Sequence, residues 1–300
     1  MAKNIAASRQ KKPSGLSDKV SDIVLVVICA AIMLIVAYPL YYVLVASFSD
    51  PYDVYAGKTF LLPSQFTLKG YQAVFADSAL FSGFINSIKY TVIGTIYSVV
   101  MIYLVAYPLS VKDLPGRKYI SLFFVITMYF GGGVVPFFLL VKDLGLYGNR
   151  FAVVIALAFN AFNMIILRNF FESLPPDLEE AAMLDGASPF RIFWQIDLPL
   201  MKPALATVTL YFIVDRWNEW FWSNLLFLDS KMWPMQLELR QILWTSSALA
   251  ADVPAELGRR TYADGMKAAA VIVTMLPIMF VYPFLQKYFA KGVMIGAIKS

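Results

Sequence analysis

The sequence predicts an all-α membrane protein of six transmembrane helices with both termini in the cytoplasm. Three observations predict it. Hydrophobic residues make up 59% of the 300 residues and charged residues only 15%, against about 45–50% and about 25% in soluble domains. The mean hydropathy is +0.65, more apolar surface than one water-surrounded core of this length can bury, so much of the chain must face lipid. The apolar residues fall into six long runs, and lysine and arginine are shared unevenly among the segments that join them.

Residues 1–20 form a basic tail with Lys3, Arg9, Lys11, Lys12 and Lys19. Residues 23–48 are then almost purely apolar. That run exceeds the roughly 7–15 residues of a signal-peptide core, and no small-residue cleavage site follows it, so it reads as an uncleaved helix kinked at Pro39. Further spans fall at about 85–110, 119–141, 151–171, 203–228 and 268–289, within one domain of residues 21–300. The fifth is interrupted by Asp215-Arg216-Trp217-Asn218-Glu219, and the sixth contains Pro277 and Pro283. Membrane helices tolerate prolines when neighbouring helices satisfy the freed carbonyls. The tail, 111–118, 168–202 and the C-terminal end hold fourteen Lys and Arg, and the alternate segments 49–83, 142–150 and 229–267 hold nine over more residues. Excess positive charge marks the cytoplasmic side. The long outer segments 49–83 and 229–267, rich in proline, aspartate and aromatics, read as folded lids or short surface helices rather than linkers.

Several chemistries fall away. There is no histidine, and the single cysteine, Cys29, lies in an apolar run. Histidine general-base catalysis, zinc or iron–sulfur ligation and a disulfide framework are therefore excluded, and neither a catalytic residue nor a metal site is expected. No Gly-x-x-x-x-Gly-Lys-Ser/Thr loop is present, so the chain does not hydrolyse ATP by that route. The net charge of +5 is a topology signal, with membrane lipid rather than nucleic acid as the partner.

The segment 172–202, between spans four and five, differs from the rest. Pro175-Pro176 opens a helix whose first turn holds Asp177, Glu179 and Glu180, where the helix dipole favours acids. Leu178, Ala181, Ala182 and Asp185 recur at helical spacing on one face, and Gly186 supplies the left-handed residue that ends it. Pro189 opens a second short helix with Phe190, Phe193 and Trp194, which Pro199 is expected to stop. Small alanines let another backbone approach closely; equally, such a pair of helices can be a solvated surface.

Glu180-Ala181-Ala182, then Gly186, then Ile196-x-Leu198-Pro199 after nine residues, resembles the Glu-Ala-Ala loop of permease subunits of binding-protein-dependent ABC importers. The rest of the chain beyond about residue 20 is similar to the carbohydrate branch of that family, as seen in Gly131-Gly132-Gly133-Val-Val-Pro136, Leu144-Gly145-Leu146, Ala161-Phe162-Asn163-Met164, Trp217-Asn218-Glu219-Trp220 and the C-terminal residues 288–300. The similarity is to the maltose-type second permease and to the polysaccharide and lipoprotein-like permeases. It implies a type I importer permease fold in a bacterial cytoplasmic (inner) membrane and a non-catalytic subunit that passes an oligo- or polysaccharide inward by alternating access. The implied partners are a second homologous permease in a heterodimer, two ATP-binding cassette subunits, and an external or periplasmic solute-binding protein. ATP and Mg belong to the ATPase chains, and this chain binds no cofactor. On the same resemblance Glu180 contacts the ATPase, Ala181 and Ala182 allow close packing, Asp185 orients the loop and Gly186 holds its turn. Ile196, Leu198 and Pro199 complete the coupling motif, and Met294 to Ser300 match a tail that reaches the ATPase interface.

Polar groups at membrane depth are costly and usually face a cavity or a partner. Trp217, Asn218, Glu219 and Trp220 of span five, with Asn160 and Asn163 of span four, combine aromatic faces with hydrogen-bonding groups as a saccharide path requires. The same residues also fit an interfacial aromatic belt and helix-to-helix bonding. Gly131-Gly132-Gly133 with Pro136 fits either close packing against the second permease or a gating hinge. An ion-coupled secondary transporter is the alternative reading. Asp215 or Glu219 could serve it, but it expects internal repeats that the sequence lacks and leaves the Glu-Ala-Ala loop unexplained.

Overall fold

The computed structural model describes residues 16–252 and 266–283. Those residues are helical in all their regular structure, apart from one isolated bridge between Ser49 and Phe66. Helix α1 is Leu16–Ser47, α2 Pro51–Tyr55, α3 Lys69–Ala76, α4 Ser78–Ser110, α5 Arg117–Tyr129, α6 Val134–Asp143, α7 Ala152–Ala156 and α8 Ala161–Glu172. Then follow α9 Pro176–Leu184, α10 Pro189–Ile192, α11 Leu198–Leu200, α12 Lys202–Trp217, α13 Phe221–Leu226, α14 Met235–Asp252 and α15 Met266–Pro283.

Three helices are continuous and apolar enough to cross a membrane: Val20–Ser47 of α1, α4 and α15. They match the first, second and sixth expected spans, although α4 begins seven residues before residue 85 and residues 284–289 lie outside the described residues. The other three expected spans are broken. In 119–141, α5 and α6 meet at 117° around Gly133, which starts α6 with φ +86. In 151–171 the break falls between α7 and α8, where the Asn160 side chain accepts from the Asn163 amide at 3.0 Å and begins a new helix. A short polar side chain that captures a backbone amide competes with helix continuation. In 203–228 the helix stops at Trp217 and resumes at Phe221.

Helix α4 is the axis. Ser87, Thr91, Thr95, Ser98 and Ile102 are buried at helical spacing along one side of it. Small residues there let other helices come close, as membrane helix packing requires without a hydrophobic drive between helices. At one end Ile102, Tyr103, Ala106 and Leu109 pack with Met164, Leu167 and Phe171 of α8 and Ala204, Val208 and Phe212 of α12. At the other end α4 holds the segment that follows α13. Asn86 Nδ2 donates to the carbonyls of Lys231 and Trp233 at 2.9 and 3.0 Å, and Tyr90 Oη to that of Met232 at 2.9 Å. Ser87 Oγ accepts from the Met235 amide at 2.9 Å. As far as it is described the segment 229–267 is folded, with α14 in it, and Asn86, at the start of span two, is its clamp.

Helix α1 stands apart. Its side chains are exposed along nearly the whole apolar stretch and become buried only at Val45, Ala46 and Ser47. There Phe48 stacks on Phe66 at 5.5 Å, and the Ser47 and Tyr71 hydroxyls meet at 2.8 Å.

Among the described residues, the interrupted fifth span holds the most buried cation. Arg216 is 4% exposed and donates to the Val153 carbonyl at 2.6 Å, to Ser98 Oγ at 2.9 Å and to the Leu157 carbonyl. Its side chain lies so close to α4 that a Cβ at Gly94 would be 3.3 Å from it. Each acceptor left buried and unpaired costs about 1–3 kcal/mol. Arg216→Ala is therefore expected to destabilise the purified protein by about 3 kcal/mol or more. An unfolding midpoint within a degree or two of the parent's would contradict this.

Candidate coupling loop and transport path

The loop 172–202 is built on α9. Pro175 precedes the first turn and Pro176 opens it, with Asp177 and Glu179 in that turn. The end is a Schellman closure: the Gly186 amide donates to the Met183 carbonyl at 3.0 Å and the Ala187 amide to the Ala182 carbonyl at 2.9 Å. Gly186 takes φ +75, a conformation that glycine adopts without steric cost. Space is not the constraint, since a Cβ there would meet nothing within 4 Å.

Glu180, Ala181, Asp185 and Gly186 are exposed, as are Leu178, Met183 and Leu184. Ala182 is not; it is buried within this chain. Of the two alanines, Ala181 is exposed and Ala182 is packed within the chain. The second half of the loop also differs from expectation. Pro199 does not stop the helix. The chain widens into a π turn over Phe193–Asp197, with the Leu198 amide reaching back to the Phe193 carbonyl, and stays helical through Leu200. A proline cannot donate to the carbonyl four residues earlier and clashes with it, and the wider turn accommodates both effects. The true break is at Met201, where the direction changes by 74° into α12. Ile196 and Leu198 are half-buried and Pro199 is exposed.

An aromatic cluster fastens this loop to the scaffold. The Phe193 ring lies edge-on to Tyr103 and Tyr107 of α4 at 4.9 and 5.0 Å, and Phe171 of α8 meets the same two rings at 5.2 and 5.4 Å. Beside it Asp197 is 1% exposed, and neither carboxylate oxygen has a hydrogen-bond partner among the described residues. Burial first, and the Glu179 carboxylate second, push its pKa up to about 6. Sequence reading passed over Asp197 because it fills the unspecified position of the Ile196-x-Leu198 pattern.

The expected transport-path residues separate into two groups. Asn218, Glu219 and Trp220 line an open cleft of about 380 Å³ together with Asp215, Phe221 and Trp222. The Trp220 ring lies beneath the Arg240 guanidinium, 3.6 Å from its centroid. Glu219 accepts from the Trp222 and Ser223 amides at 2.6 and 3.1 Å and from the Ser223 hydroxyl, so its carboxylate caps α13. Asn218 Nδ2 donates to the Val214 carbonyl at 2.8 Å, and its Oδ1 accepts from Gln236 at 3.3 Å. Trp217 points away from the cleft. It is buried, donates to the Thr274 carbonyl at 3.0 Å and meets Phe84 edge-on. Asn160 and Asn163 do not line the cleft either; Asn160 caps α8 and Asn163 is buried. Arg240 was missed because it lies in the outer segment, where the sequence offered only a lid. The C-terminal residues 294–300 lie outside the described residues.

Residues 5–295 match the family described as binding-protein-dependent transport system inner membrane component. The chain belongs to that family. It is 40% identical over 269 residues to the polygalacturonan/rhamnogalacturonan transport system permease protein YtcP of Bacillus subtilis (strain 168), covering 89% of this chain and 94% of that protein. A crystal structure of a bacterial ABC transporter involved in the import of the acidic polysaccharide alginate superposes with a TM-score of 0.85 at 35% identity, covering 93% of this chain and 99% of its own. A chain of a bacterial alginate ABC transporter in complex with alginate pentasaccharide-bound periplasmic protein shares the fold, with a TM-score of 0.59 at 15% identity over 90% of this chain and 93% of that one. The permease is thus a multi-pass, non-catalytic membrane subunit of a binding-protein-dependent ABC importer, with the type I importer permease fold.

Asp197 offers a direct check on the loop. A carboxyl that titrates near 6 in the folded chain, against an ordinary 3.8, favours the fold when protonated. Its ionisation therefore removes stability as pH rises from about 4 through about 6 and fully above that. Asp197→Asn is expected to raise the unfolding temperature at about pH 7.5, with the gain shrinking as pH falls through 6. A gain independent of pH would show that the charge is not the cause.

Proposed function

We propose that this permease is one half of a heterodimeric transmembrane unit in the bacterial cytoplasmic membrane, importing an acidic saccharide handed over by a solute-binding protein. Two partner ATPase subunits, which carry ATP and Mg, engage the 172–202 loop. Their closure around ATP draws the loops of the two permeases together and switches the cavity from inward- to outward-facing.

The observation that carries the cargo reading is the Trp220–Arg240 pair at the open cleft. A pyranose has apolar faces that suit an indole, and a uronate adds a carboxylate that suits a guanidinium. The names of the relatives agree, since polygalacturonan and alginate are both uronate polymers. Asn218 adds an amide at the same cleft. Glu219 is engaged in capping α13 and serves the path by holding its wall.

The coupling reading rests on α9, where Glu180, Ala181 and Asp185 are exposed around a helix end that Gly186 closes. Two measurements test the two halves separately. Glu180→Lys and Gly186→Asp are each expected to abolish ATP-driven uptake while the protein still inserts; normal uptake in both would end the coupling assignment. For the cargo, the reconstituted complex is supplied with binding protein loaded with oligogalacturonate or with a neutral oligosaccharide of equal length. Arg240→Gln is expected to cut uronate-driven uptake by about tenfold or more, the scale of one charge-assisted hydrogen bond. Neutral saccharide transported as well as uronate by the parent, with no effect of Arg240→Gln, would refute the acidic cargo.

A further inference from the structure

The structure holds a second cleft, built mainly on the 111–121 stretch, whose chemistry the transport cycle does not use. It has a volume of about 560 Å³ and is lined by Lys112, Gly116, Arg117, Lys118, Ser121 and Arg168, with Tyr119 at its edge. The charge distribution of the sequence assigns the 111–118 connection to the cytoplasmic side. The cleft is therefore at the level where the ends of α4 and α5 leave the membrane.

Its basic groups are in two sets. Arg117 and Arg168 are fixed: both pair with Glu172, Arg117 Nε donates to the Leu109 carbonyl at 2.8 Å, and Arg168 Nη1 to Ser121 Oγ at 3.1 Å. One carboxylate thus serves two guanidiniums, which leaves donors of each unassigned. Lys112 and Lys118 have no ion-pair partner among the described residues. Gly116 precedes the first turn of α5, whose Arg117, Tyr119 and Ile120 amides already donate to the carbonyls of Leu114 and Gly116, so the cleft's positive charge comes from its side chains. Four cations converge on one pocket with a net positive charge.

The surface beside the pocket decides what kind of anion fits. Tyr119, Leu122, Phe123 and Ile126 are 77%, 51%, 61% and 46% exposed, and they form one stripe at i, i+3, i+4 and i+7 up the outside of α5. No residue of α5 is buried. An apolar stripe that rises from a basic pocket at the membrane surface matches acyl chains above a charged headgroup, with Tyr119 at the interface as aromatics prefer.

We propose that this cleft binds the phosphate headgroup of an anionic phospholipid, with its acyl chains along the Tyr119–Ile126 stripe of α5. The site ties the 111–118 connection, and through Arg168 and Glu172 the base of the coupling loop, to the charge of the inner leaflet.

The test uses the permease purified with its partner subunits in mild detergent. Binding of a fluorescent short-chain phosphatidylglycerol is followed by anisotropy. Unlabelled phosphatidylglycerol, phosphatidylcholine of the same chain length, inorganic phosphate and oligogalacturonate serve as competitors. Phosphatidylglycerol alone is expected to compete well. The double variant Lys112→Gln/Lys118→Gln leaves the Arg117–Glu172–Arg168 network intact and is expected to weaken binding about 30-fold, the effect of two juxtamembrane lysines. Lys112→Arg/Lys118→Arg is expected to keep the affinity, and both variants to keep the parent's unfolding temperature. Double-Gln affinity within about threefold of the parent's would overturn the proposal. Competition by millimolar inorganic phosphate as strong as by the lipid would overturn it in favour of a soluble-anion site. Competition by oligogalacturonate would overturn it in favour of an exit site for cargo.

Discussion

A helix that breaks inside a membrane releases carbonyls and amides that lipid cannot satisfy, and the polar residues of the fifth span meet that demand. Arg216 donates to the carbonyls of Val153 and Leu157 at the end of α7, where the expected fourth span is interrupted. Three residues later Glu219 accepts from the amides that open α13. A cation on carbonyl ends and an anion on amide ends is the pairing that helix termini favour. Each charge thus has backbone for its counterpart. Replacing the pair with leucines would restore the hydropathy of the span while orphaning two breaks.

These breaks place the functional surfaces. The stop at Trp217 and restart at Phe221 turn Asn218 and Trp220 onto the cleft, and they send Trp217 the other way, onto α15 and α4. A continuous helix through 203–228 would have kept Trp217 and Trp220 on nearly the same face, at i and i+3. At the opposite end the π turn and the bend at Met201 carry Phe193 into the Tyr103–Tyr107–Phe171 cluster. The base of the loop is thereby packed on α4 and α8, while α9 carries Glu180 and Ala181 outward. These rings join the base of the loop to α4, the same helix whose Ser98 is bonded to Arg216.

Sequence made the fold class, three of the helices and the start and end of α9 legible, because each rests on a local signal. Long apolar runs need no partner to be recognised, and a Pro-Pro start with a glycine stop is written in nine or ten consecutive residues. Glycines 131–133 with Pro136 and the polar run 215–219 marked the breaks in spans three and five, but the break in span four was not legible in the same way. Hydropathy averages over a window, and 151–171 is equally apolar whether or not Asn160 takes the Asn163 amide. The asparagines and Glu219 stand out as polar groups in apolar runs, but such residues can face a ligand or a helix end, and Asn160 and Glu219 bond helix ends. Ala182 and Pro199 mark the same boundary. Their side chains were placed by helical periodicity and by proline's usual effect, whereas Ala182 is buried and the π turn over Phe193–Asp197 carries the helix through Pro199.

The surfaces left uncovered have a common reason. Helix α1 is exposed along its apolar length, α5 buries no side chain, and the cleft at Asn218 and Trp220 is open rather than enclosed. Apolar exposure on this scale is unfavourable in water but neutral against lipid or a neighbouring membrane helix. The polar cleft is different, because groups such as Asp215 and Asn218 at membrane depth need water, cargo or another chain beside them. One wall of a cavity satisfies this when a second permease supplies the opposite wall, and the space between them then holds water and saccharide. Selectivity in such an arrangement belongs to both walls. This chain brings Trp220 to its wall with the Arg240 guanidinium stacked over the indole, an apolar face and a fixed positive charge side by side on an open surface.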